Sequence, residues 1–257
     1  MGSILENATG LYMTGIRDGK PREAMNTFTG ARYTQHSTGV PDGKEGFMAF
    51  FKDFLERNPT REIEVVRGLQ DGRFAFVHVF QRLNNGENEW VTFDFFDSDD
   101  QGRIIEHWDV IARYSPTTPS GHTSIDGVRE VVDLERTDDN KRIVTQMIEH
   151  ALMEGGDVDK VSEFIDDTYI QHNSRATDGL DSFMALLKAE DRPLFYQEIV
   201  LMVGQGNFVA TLCKASWEGQ PLAQSDLFRL HNGKIVEHWD ASEQIGPKSE
   251  WLNSGKF

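Results

Sequence analysis

The sequence predicts an α+β protein made of two domains in tandem, each with three helices packed on a curved antiparallel sheet. Three observations support this fold class. The chain has 257 residues, more than the roughly 100–150 of most single domains. It contains an internal repeat, and each copy of the repeat passes from helical periodicity to the alternation typical of strands. We therefore treat the chain as two copies of one domain.

Two matching pairs of segments define the repeat. YTQHS at residues 33–37 is matched by YIQHN at residues 169–173, and IEHWD at residues 105–109 is matched by VEHWD at residues 236–240. The two segments of the first pair lie 136 residues apart and those of the second pair 131 residues apart, as expected when loops shorten in the second copy. We predict a first domain over 1–114, a linker rich in Pro, Gly and hydroxyl side chains over 115–136, a second domain over 137–247 and a C-terminal tail over 248–257.

Helical signals come first in each copy. Apolar residues recur at helical spacing over 143–152 in the second copy, before a glycine pair that suits a helix end. A short second helix is predicted over 21–28, with Pro21 in its first turn, and over 158–165 in the other copy. A third helix carries a face of Phe side chains that begins at Phe47.

The pattern then changes to alternating strands that are separated by glycine-containing turns. A meander of this kind, folded around helices, leaves a pocket between the sheet and the helices. The predicted strands cover residues 62–68, 74–83, 90–96 and 104–114 in the first copy, and residues 198–203, 208–217, 223–230 and 235–245 in the second.

Composition excludes several function classes. The formal net charge of -16 repels nucleic-acid phosphates and anionic lipids. No stretch reaches the 18 or so apolar residues of a membrane span, and the N-terminus does not resemble a signal peptide, so we expect a cytoplasmic protein. Cys213 is the only cysteine, which rules out an intramolecular disulfide and a cysteine-cluster zinc site. Motifs for nucleotide binding, esterase and zinc-protease chemistry are missing.

The last strand of each copy carries the first candidate site residues. Because side chains alternate along a strand, His238 and Asp240 share one face and Trp239 lies on the other. His107, Asp109 and Trp108 repeat this arrangement in the first copy.

The preceding strand carries an acid, Asp226, within an apolar stretch, and Asp94 is its first-copy counterpart. If residues 231–233 form a three-residue loop, Asp226 pairs with His238 on the same face. A two-residue loop would shift the register by one and break that pairing.

His36 and His172 complete a cluster of His, Asp, Asn or Ser, and Tyr. This composition is typical of general acid/base chemistry, in which a buried carboxylate takes a proton and nearby donors hold the charge that develops on oxygen. Two alternatives remain open from the residues. The His-Trp-Asp segments could be a structural lock, or two imidazoles and a carboxylate could hold a metal. The metal sets are His172, His238 and Asp240, or His36, His107 and Asp109.

Each copy resembles the SnoaL-like polyketide cyclases of the nuclear transport factor 2-like superfamily, which includes ketosteroid isomerase, scytalone dehydratase and limonene epoxide hydrolase. The resemblance rests on Tyr-x-Gln-His-Asn/Ser, on Gly-x-x-x-Phe-Met and on Gly-Lys-Ile-Val-Glu-His-Trp-Asp. It implies a cone-shaped α+β barrel with a deep apolar pocket and no cofactor or metal. It also implies pairing of sheets, here as an intramolecular pseudo-dimer that could associate further into a homodimer.

The resemblance also implies roles for individual residues. Asp240 would be the general acid/base, with Asp109 as its counterpart. Asn173, matched by Ser37, would lie in the pocket with Asp226, where the cyclases carry His. Because the first copy has Ser37 and one more residue between Asp94 and Asp109, we expect the second copy to be the active one.

The expected function is cofactor-independent proton transfer on a small hydrophobic carbonyl compound, by aldol-type cyclisation, isomerisation or dehydration. The alternatives are the metal-dependent enzyme and a non-catalytic protein that binds a small molecule. The candidate catalytic residues are Asp240, His238, Asn173, Asp226, His172, Asp109, His107, His36 and Asp94, and the candidate substrate-binding residues are Tyr169, Gln171, Tyr33, Gln35, Trp239 and Trp108.

Overall fold

The computed structural model describes residues 2–257; Met1, the first residue of the predicted first domain, lies outside the described residues. The chain forms two compact units. Unit 1 comprises the residues up to Arg113 together with Ile245–Phe257, and unit 2 comprises Tyr114–Gln244. The predicted linker over 115–136 is therefore part of unit 2, and the predicted tail over 248–257 is part of unit 1.

Unit 1 begins with helices and continues as a sheet. Its first helix, α1, is capped by Ser3, whose side chain accepts the backbone N–H of Glu6 while the Glu6 carboxylate accepts that of Ser3. This helix passes directly into a π-helical segment, Leu11–Arg17. The elements are α1 (Ile4–Gly10), α2 (Pro21–Phe28), β1 (Thr29–Gln35), α3 (Gly43–Arg57), β2 (Arg61–Asp71), β3 (Phe74–Leu83), β4 (Asn88–Ser98) and β5 (Ile104–Arg113).

Unit 2 repeats this order with a longer first helix and with shorter second and third helices. The predicted second helix of this copy is a 3-10 helix, Val158–Glu163, and only the first helix, α4, is long. The remaining elements follow the first unit one for one. They are α4 (Thr137–Ala151), β6 (Ile165–Gln171), α5 (Leu180–Leu187), β7 (Leu194–Gln205), β8 (Phe208–Trp217), β9 (Gln220–His231) and β10 (Lys234–Gln244).

The two sheets have the same topology. Their strand orders are β1-β5-β4-β3-β2 and β6-β10-β9-β8-β7. Four strands of each sheet form the predicted antiparallel meander, but β1 pairs in parallel with β5, and β6 with β10. The sheets are thus mixed and not purely antiparallel. The parallel strand escaped the prediction because it pairs with a strand that follows only after the whole meander, and no turn signal marks such a pairing.

Each unit has its own apolar core between helices and sheet. In unit 2, Met147 and Ile148 of α4 pack with Val209 and Phe228 of the sheet, and all four are buried. In unit 1, Leu11 of the π-helical segment belongs to one buried cluster with Val77 and Val79 of the sheet. The predicted fold class of two tandem α+β units is confirmed. Among residues 2–257, no helix is both long and apolar enough to cross a membrane.

A β-bulge sets the face of every site residue on β10. The hairpin between β9 and β10 has a two-residue turn, Asn232-Gly233, with positive φ at both positions, so the predicted three-residue loop is wrong. That turn alone would place Asp226 on the wrong face. An extra residue between Ile235 and Glu237 returns Asp226 to the face of His238 and Asp240. Asp226 lies directly opposite Asp240, and the predicted pairing with His238 is wrong, because His238 lies opposite Phe228.

The first sheet has a β-bulge at the corresponding place in its last hairpin. Its register also shifts at the start of the last hairpin, between Asp97 and Ser98, and Asp94 then lies directly opposite Asp109. The additional residue that separates these two aspartates in the sequence therefore lies in the turn. It does not alter the site, so the difference in spacing is no reason to prefer one unit.

Candidate acid/base sites

The centre of the unit 2 site is Asp226, which is 1% exposed. Its carboxylate accepts the hydroxyl of Tyr196 at 2.8 Å and the amide of Gln224 at 3.2 Å. Burial, followed by the charge of Asp226, raises the pKa of Tyr196 well above its ordinary value. Tyr196 therefore stays protonated and acts as a donor to the carboxylate.

His238 is clamped between two acceptors. Its Nδ1 lies 2.9 Å from Oε1 of Gln171, and the same oxygen accepts the backbone N–H of Asn173. Because an amide oxygen only accepts, Nδ1 carries a proton. The other nitrogen, Nε2, lies 2.9 Å from Oδ1 of Asp226. A hydrogen bond therefore joins His238 to Asp226 next to Asp240.

Asp240 is the carboxylate of this cluster that is partly exposed. Its Oδ2 accepts the amides of Asn173 at 2.7 Å and of Gln224 at 3.1 Å. Within residues 2–257, its Oδ1 takes part in no hydrogen bond. Burial raises the pKa of Asp240, as does the Asp226 carboxylate, against the opposing effect of His238 and the two amides. Asp240 thus combines an accessible oxygen with an increased proton affinity.

Unit 1 repeats the part of this cluster in which a tyrosine and a histidine contact the more deeply buried aspartate. His107 lies 2.8 Å from Asp94 through Nε2 and 3.0 Å from Oε1 of Gln35 through Nδ1. The hydroxyl of Tyr12 donates to Asp94 at 2.7 Å and lies 3.0 Å from the hydroxyl of Thr92. Tyr12 comes from the π-helical segment, whereas Tyr196 comes from a strand, so the two units supply the same hydroxyl from different elements.

The second aspartate of the unit 1 cluster, Asp109, has a different partner from Asp240. Lys256 donates from Nζ to Oδ1 of Asp109 at 3.0 Å, and both residues are buried. Burial by itself raises the pKa of Asp109, but the ammonium of Lys256 and then the charge of His107 outweigh it and lower the pKa below its ordinary value. The hydroxyl of Ser37 contributes in the same direction. Asp109 is therefore a paired, ionised carboxylate.

The structure places His36, His172, Trp108 and Trp239 away from these clusters. His172 stacks on Trp239 at 4.7 Å and contacts Glu237 at 3.0 Å, and Glu237 also accepts Arg229. His36 stacks on Trp108 in the same way and contacts Glu106. The physical reason is strand alternation, because each of these residues neighbours one that points to the Asp226 or Asp94 face.

These positions are a correction to the predicted site. His36 and His172 belong to ion-pair networks on the opposite face of the sheet and do not join the proton-transfer cluster. Both predicted two-His-one-carboxylate metal sets are consequently split between two faces, and that hypothesis is wrong for them. The carboxylates and imidazole of Asp94, His107 and Asp109 do approach one another within 4.8 Å, but Lys256 already supplies a positive charge there.

Tyr169 and Gln171 act on the site indirectly. The amide of Gln171 donates to the hydroxyl of Tyr169 at 2.9 Å, which fixes its oxygen toward His238. The Tyr169 ring stacks over His238 with 6.4 Å between ring centres. Tyr33 is buried and stacks over His107 in the same manner, and Gln35 orients that imidazole. All four were predicted to bind substrate, and in the structure each of them contacts His238 or His107.

The sequence analysis missed several members of the clusters. Gln224 has a detectable signal, since it precedes Asp226 by two residues and so shares its face. Tyr12, Tyr196 and Lys256 have none, because they reach the site from a helix, a distant strand and the C-terminal segment. The missed residues are Tyr12, Thr92, Tyr196, Thr211, Gln224 and Lys256.

Comparisons with known proteins give structural matches only. No protein-family model matches the chain, and no curated protein matches it. Similar solved structures include a candidate polyketide cyclase from Bacillus cereus ATCC 10987, with 20% identity over 42% of this chain and 73% of that one and a TM-score of 0.38. A candidate SnoaL-like polyketide cyclase from Jannaschia sp. CCS1 has 20% identity, 42% and 84% coverage and a TM-score of 0.36.

An NTF2-like protein from Burkholderia xenovorans LB400 is also similar, with 20% identity over 46% of this chain and 95% of that one and a TM-score of 0.37. The matches thus include SnoaL-like polyketide cyclases and NTF2-like proteins, the families that the sequence motifs resemble. Each covers about half of the chain, which is the length of one unit.

Proposed function

We propose that unit 2 catalyses cofactor-independent proton abstraction from a small hydrophobic carbonyl compound, with Asp240 as the base. The observation that carries this proposal is the environment of Asp240. One oxygen is held by two amides, the other is without a hydrogen bond within residues 2–257, and the pKa is raised by burial. A carboxylate with this pKa shift takes a carbon-bound proton more readily near neutral pH than an ordinary aspartate does.

The reaction step follows from the groups around Asp240. Its Oδ1 takes the proton from the carbon next to the carbonyl. The electrons of the C–H bond form a C=C bond, and the π electrons of the carbonyl move to its oxygen to give an enolate. Asn173 directs one amide hydrogen to Asp240, and its second amide hydrogen is available to the enolate oxygen. Next to Asp240, the charge of His238 favours the ionised carboxylate and the charge of Asp226 opposes it.

The enolate can continue in three ways. It can attack a second carbonyl of the same molecule, take the proton back at another carbon, or expel a neighbouring hydroxyl. These outcomes are aldol-type cyclisation, isomerisation and dehydration. All three use the same base, and the shape of the substrate decides between them.

The experiment is α-proton exchange in heavy water, followed by NMR with a panel of hydrophobic ketones and β-dicarbonyls. We expect exchange by the natural sequence and a decrease of about 10²–10⁴-fold in Asp240→Asn, because the proton acceptor is lost. Asp167→Asn is the matched control, since Asp167 is an exposed aspartate of the same unit.

Two results would contradict the proposal. Exchange that is equal in Asp240→Asn and in Asp167→Asn would show that Asp240 is not the base. Binding of panel compounds with no exchange by the natural sequence would favour the alternative of a non-catalytic small-molecule binding protein.

A further inference from the structure

Lys256 is a charged side chain that the proposed function leaves unexplained. It is 2% exposed, and a buried ammonium is costly unless it is paired. Its partner Asp109 occupies the position in unit 1 that Asp240 occupies in unit 2, directly opposite the second aspartate of the cluster. The ammonium thus contacts the carboxylate that corresponds to the proposed base.

The C-terminal segment is fastened to unit 1 next to this contact. Its backbone N–H at Leu252 donates to Thr38, and the amide of Asn253 donates to the carbonyls of Ser37 and Val40. The carbonyl of Gly255 accepts the imidazole Nδ1 of His36 at 2.8 Å. These contacts hold residues 252–255 along the loop after β1 and deliver the next residue, Lys256, to Asp109.

The conformation of this segment requires glycine at position 255. Gly255 has φ of +117°, and a Cβ atom there would lie 2.3 Å from the ring of Trp251. The segment is therefore built for this path and does not merely lie on the surface. At the same time its contacts are mainly backbone and amide hydrogen bonds, and Leu252 is 58% exposed.

Unit 2 has no counterpart of Lys256. Its segment over 114–136 takes the corresponding position, with the carbonyl of Thr123 on His172 as Gly255 is on His36. The residue after Thr123 is Ser124, whose hydroxyl bonds to Ser115 and not to the sheet. Asp240 consequently keeps an oxygen available where Asp109 is closed.

We infer that unit 1 holds a second, latent proton-abstraction site, with Asp109 as its base, and that Lys256 closes it as a tethered inhibitor. The inference rests on the proposed function of Asp240, and its substrates are the same class of small carbonyl compounds. Displacement of residues 252–256 removes the ammonium and leaves Asp94, His107 and Asp109, the same Asp, His and Asp that the sheet supplies in unit 2.

The test uses Lys256→Met, which keeps the aliphatic side chain and removes the charge. In an Asp240→Asn background, proton exchange on the ketone panel is expected to be lost. Adding Lys256→Met should restore exchange to at least tenfold above that background, and adding Asp109→Asn to the double variant should abolish it again. A folded Asp240→Asn, Lys256→Met protein that exchanges no faster than Asp240→Asn alone would overturn the inference.

The same series separates this inference from the proposed function. Exchange by Lys256→Met without exchange by the natural sequence would support the latent site and reject Asp240 as the working base. Exchange by neither would reject both. A chain that ends at Gly255 is the second variant in case Lys256→Met does not fold, and circular dichroism establishes the fold of each protein.

Carboxyl-carbon NMR provides a readout that does not depend on activity. In the natural sequence the Asp109 carboxyl should titrate below the ordinary range of an aspartate, and in Lys256→Met it should titrate above it. An unchanged titration would show that Lys256 does not control Asp109 and would also overturn the inference.

Discussion

The two units place the same three residues in the same register and give their last carboxylate opposite properties. Asp240 faces two neutral amides and has a raised pKa, whereas Asp109 faces an ammonium and has a lowered one. The sheet supplies Asp, His and Asp in both cases. The difference comes from side chains that reach the sheet from other elements, so the strands define a set of groups and their surroundings decide the chemistry.

The largest expected effect is on stability, at the carboxylate that is paired with Lys256. Asp109→Asn leaves the ammonium buried without a counter-charge and should cost roughly 3–5 kcal/mol in the free energy of unfolding. Urea denaturation measures this. The double variant Asp109→Asn, Lys256→Met removes both charges and should recover most of the loss; an equal loss in both variants would show that the pair is not the source.

Removing the tyrosine hydroxyls should have a smaller effect that is similar in both units. Tyr196→Phe and Tyr12→Phe each delete a hydrogen bond to a buried carboxylate, which is worth about 1.5–3 kcal/mol. The same denaturation experiment applies. Asp226 keeps Gln224 and Thr211 as donors besides His238, whereas among residues 2–257 Asp94 keeps only His107, so Tyr12→Phe should be the more costly. The reverse order would contradict this account of the two clusters.

The pH dependence of stability should have opposite signs at the two carboxylates. The folded state binds the Asp240 proton more tightly than the unfolded state does, so its contribution to stability decreases as pH rises from the ordinary aspartate pKa through the raised one. Asp109 has a lowered pKa, so its contribution is present above the ordinary pKa and is lost as pH falls through the lowered one.

Denaturation of two variants across pH checks these signs. Asp240→Asn should be more stable than the natural sequence at neutral pH, and the gain should vanish in acid. Asp109→Asn should show the opposite trend, with its deficit shrinking in acid. If the two variants showed the same dependence of stability on pH, the opposite pKa shifts of Asp240 and Asp109 would be contradicted.

The smallest effect should come from Asn173. Its amide stabilises the ionised form of Asp240, so Asn173→Ala should raise the pKa of Asp240 further and move the acid limb of proton exchange to higher pH. We expect a rate loss of roughly tenfold, which corresponds to one hydrogen bond to a charged acceptor. An acid limb that stays in place would show that Asn173 does not act on Asp240.

Much of the fold and half of the site could be predicted from local patterns. The repeat, the meander and the shared face of His238 and Asp240 follow from spacing along single strands. The face of Asp226 could not be derived from the turn alone. The two-residue turn and the bulge each shift the register by one residue, and their effects on the face cancel. Here the predicted pairing of faces is correct although the predicted loop is wrong.

The remaining part of the site depends on contacts between distant segments. Gln171 was predicted to bind substrate, but its partner is His238, on a parallel strand that no turn connects to it. Lys256 reaches Asp109 through a segment that looked like a free tail. Such contacts are set by tertiary packing, and neither periodicity nor composition records them.

The bulge at the start of β10 also determines where this chain tolerates changes in length. The turns have lost or gained residues between the two copies, and the site geometry is the same in both. A deletion of the single residue Val236 would remove the bulge, but the pairs from Glu237 to Gln244 would keep their partners, so Asp240 would stay opposite Asp226. The last hairpin therefore tolerates changes in length at two places, the turn and the bulge, without a change in which side chains face the site.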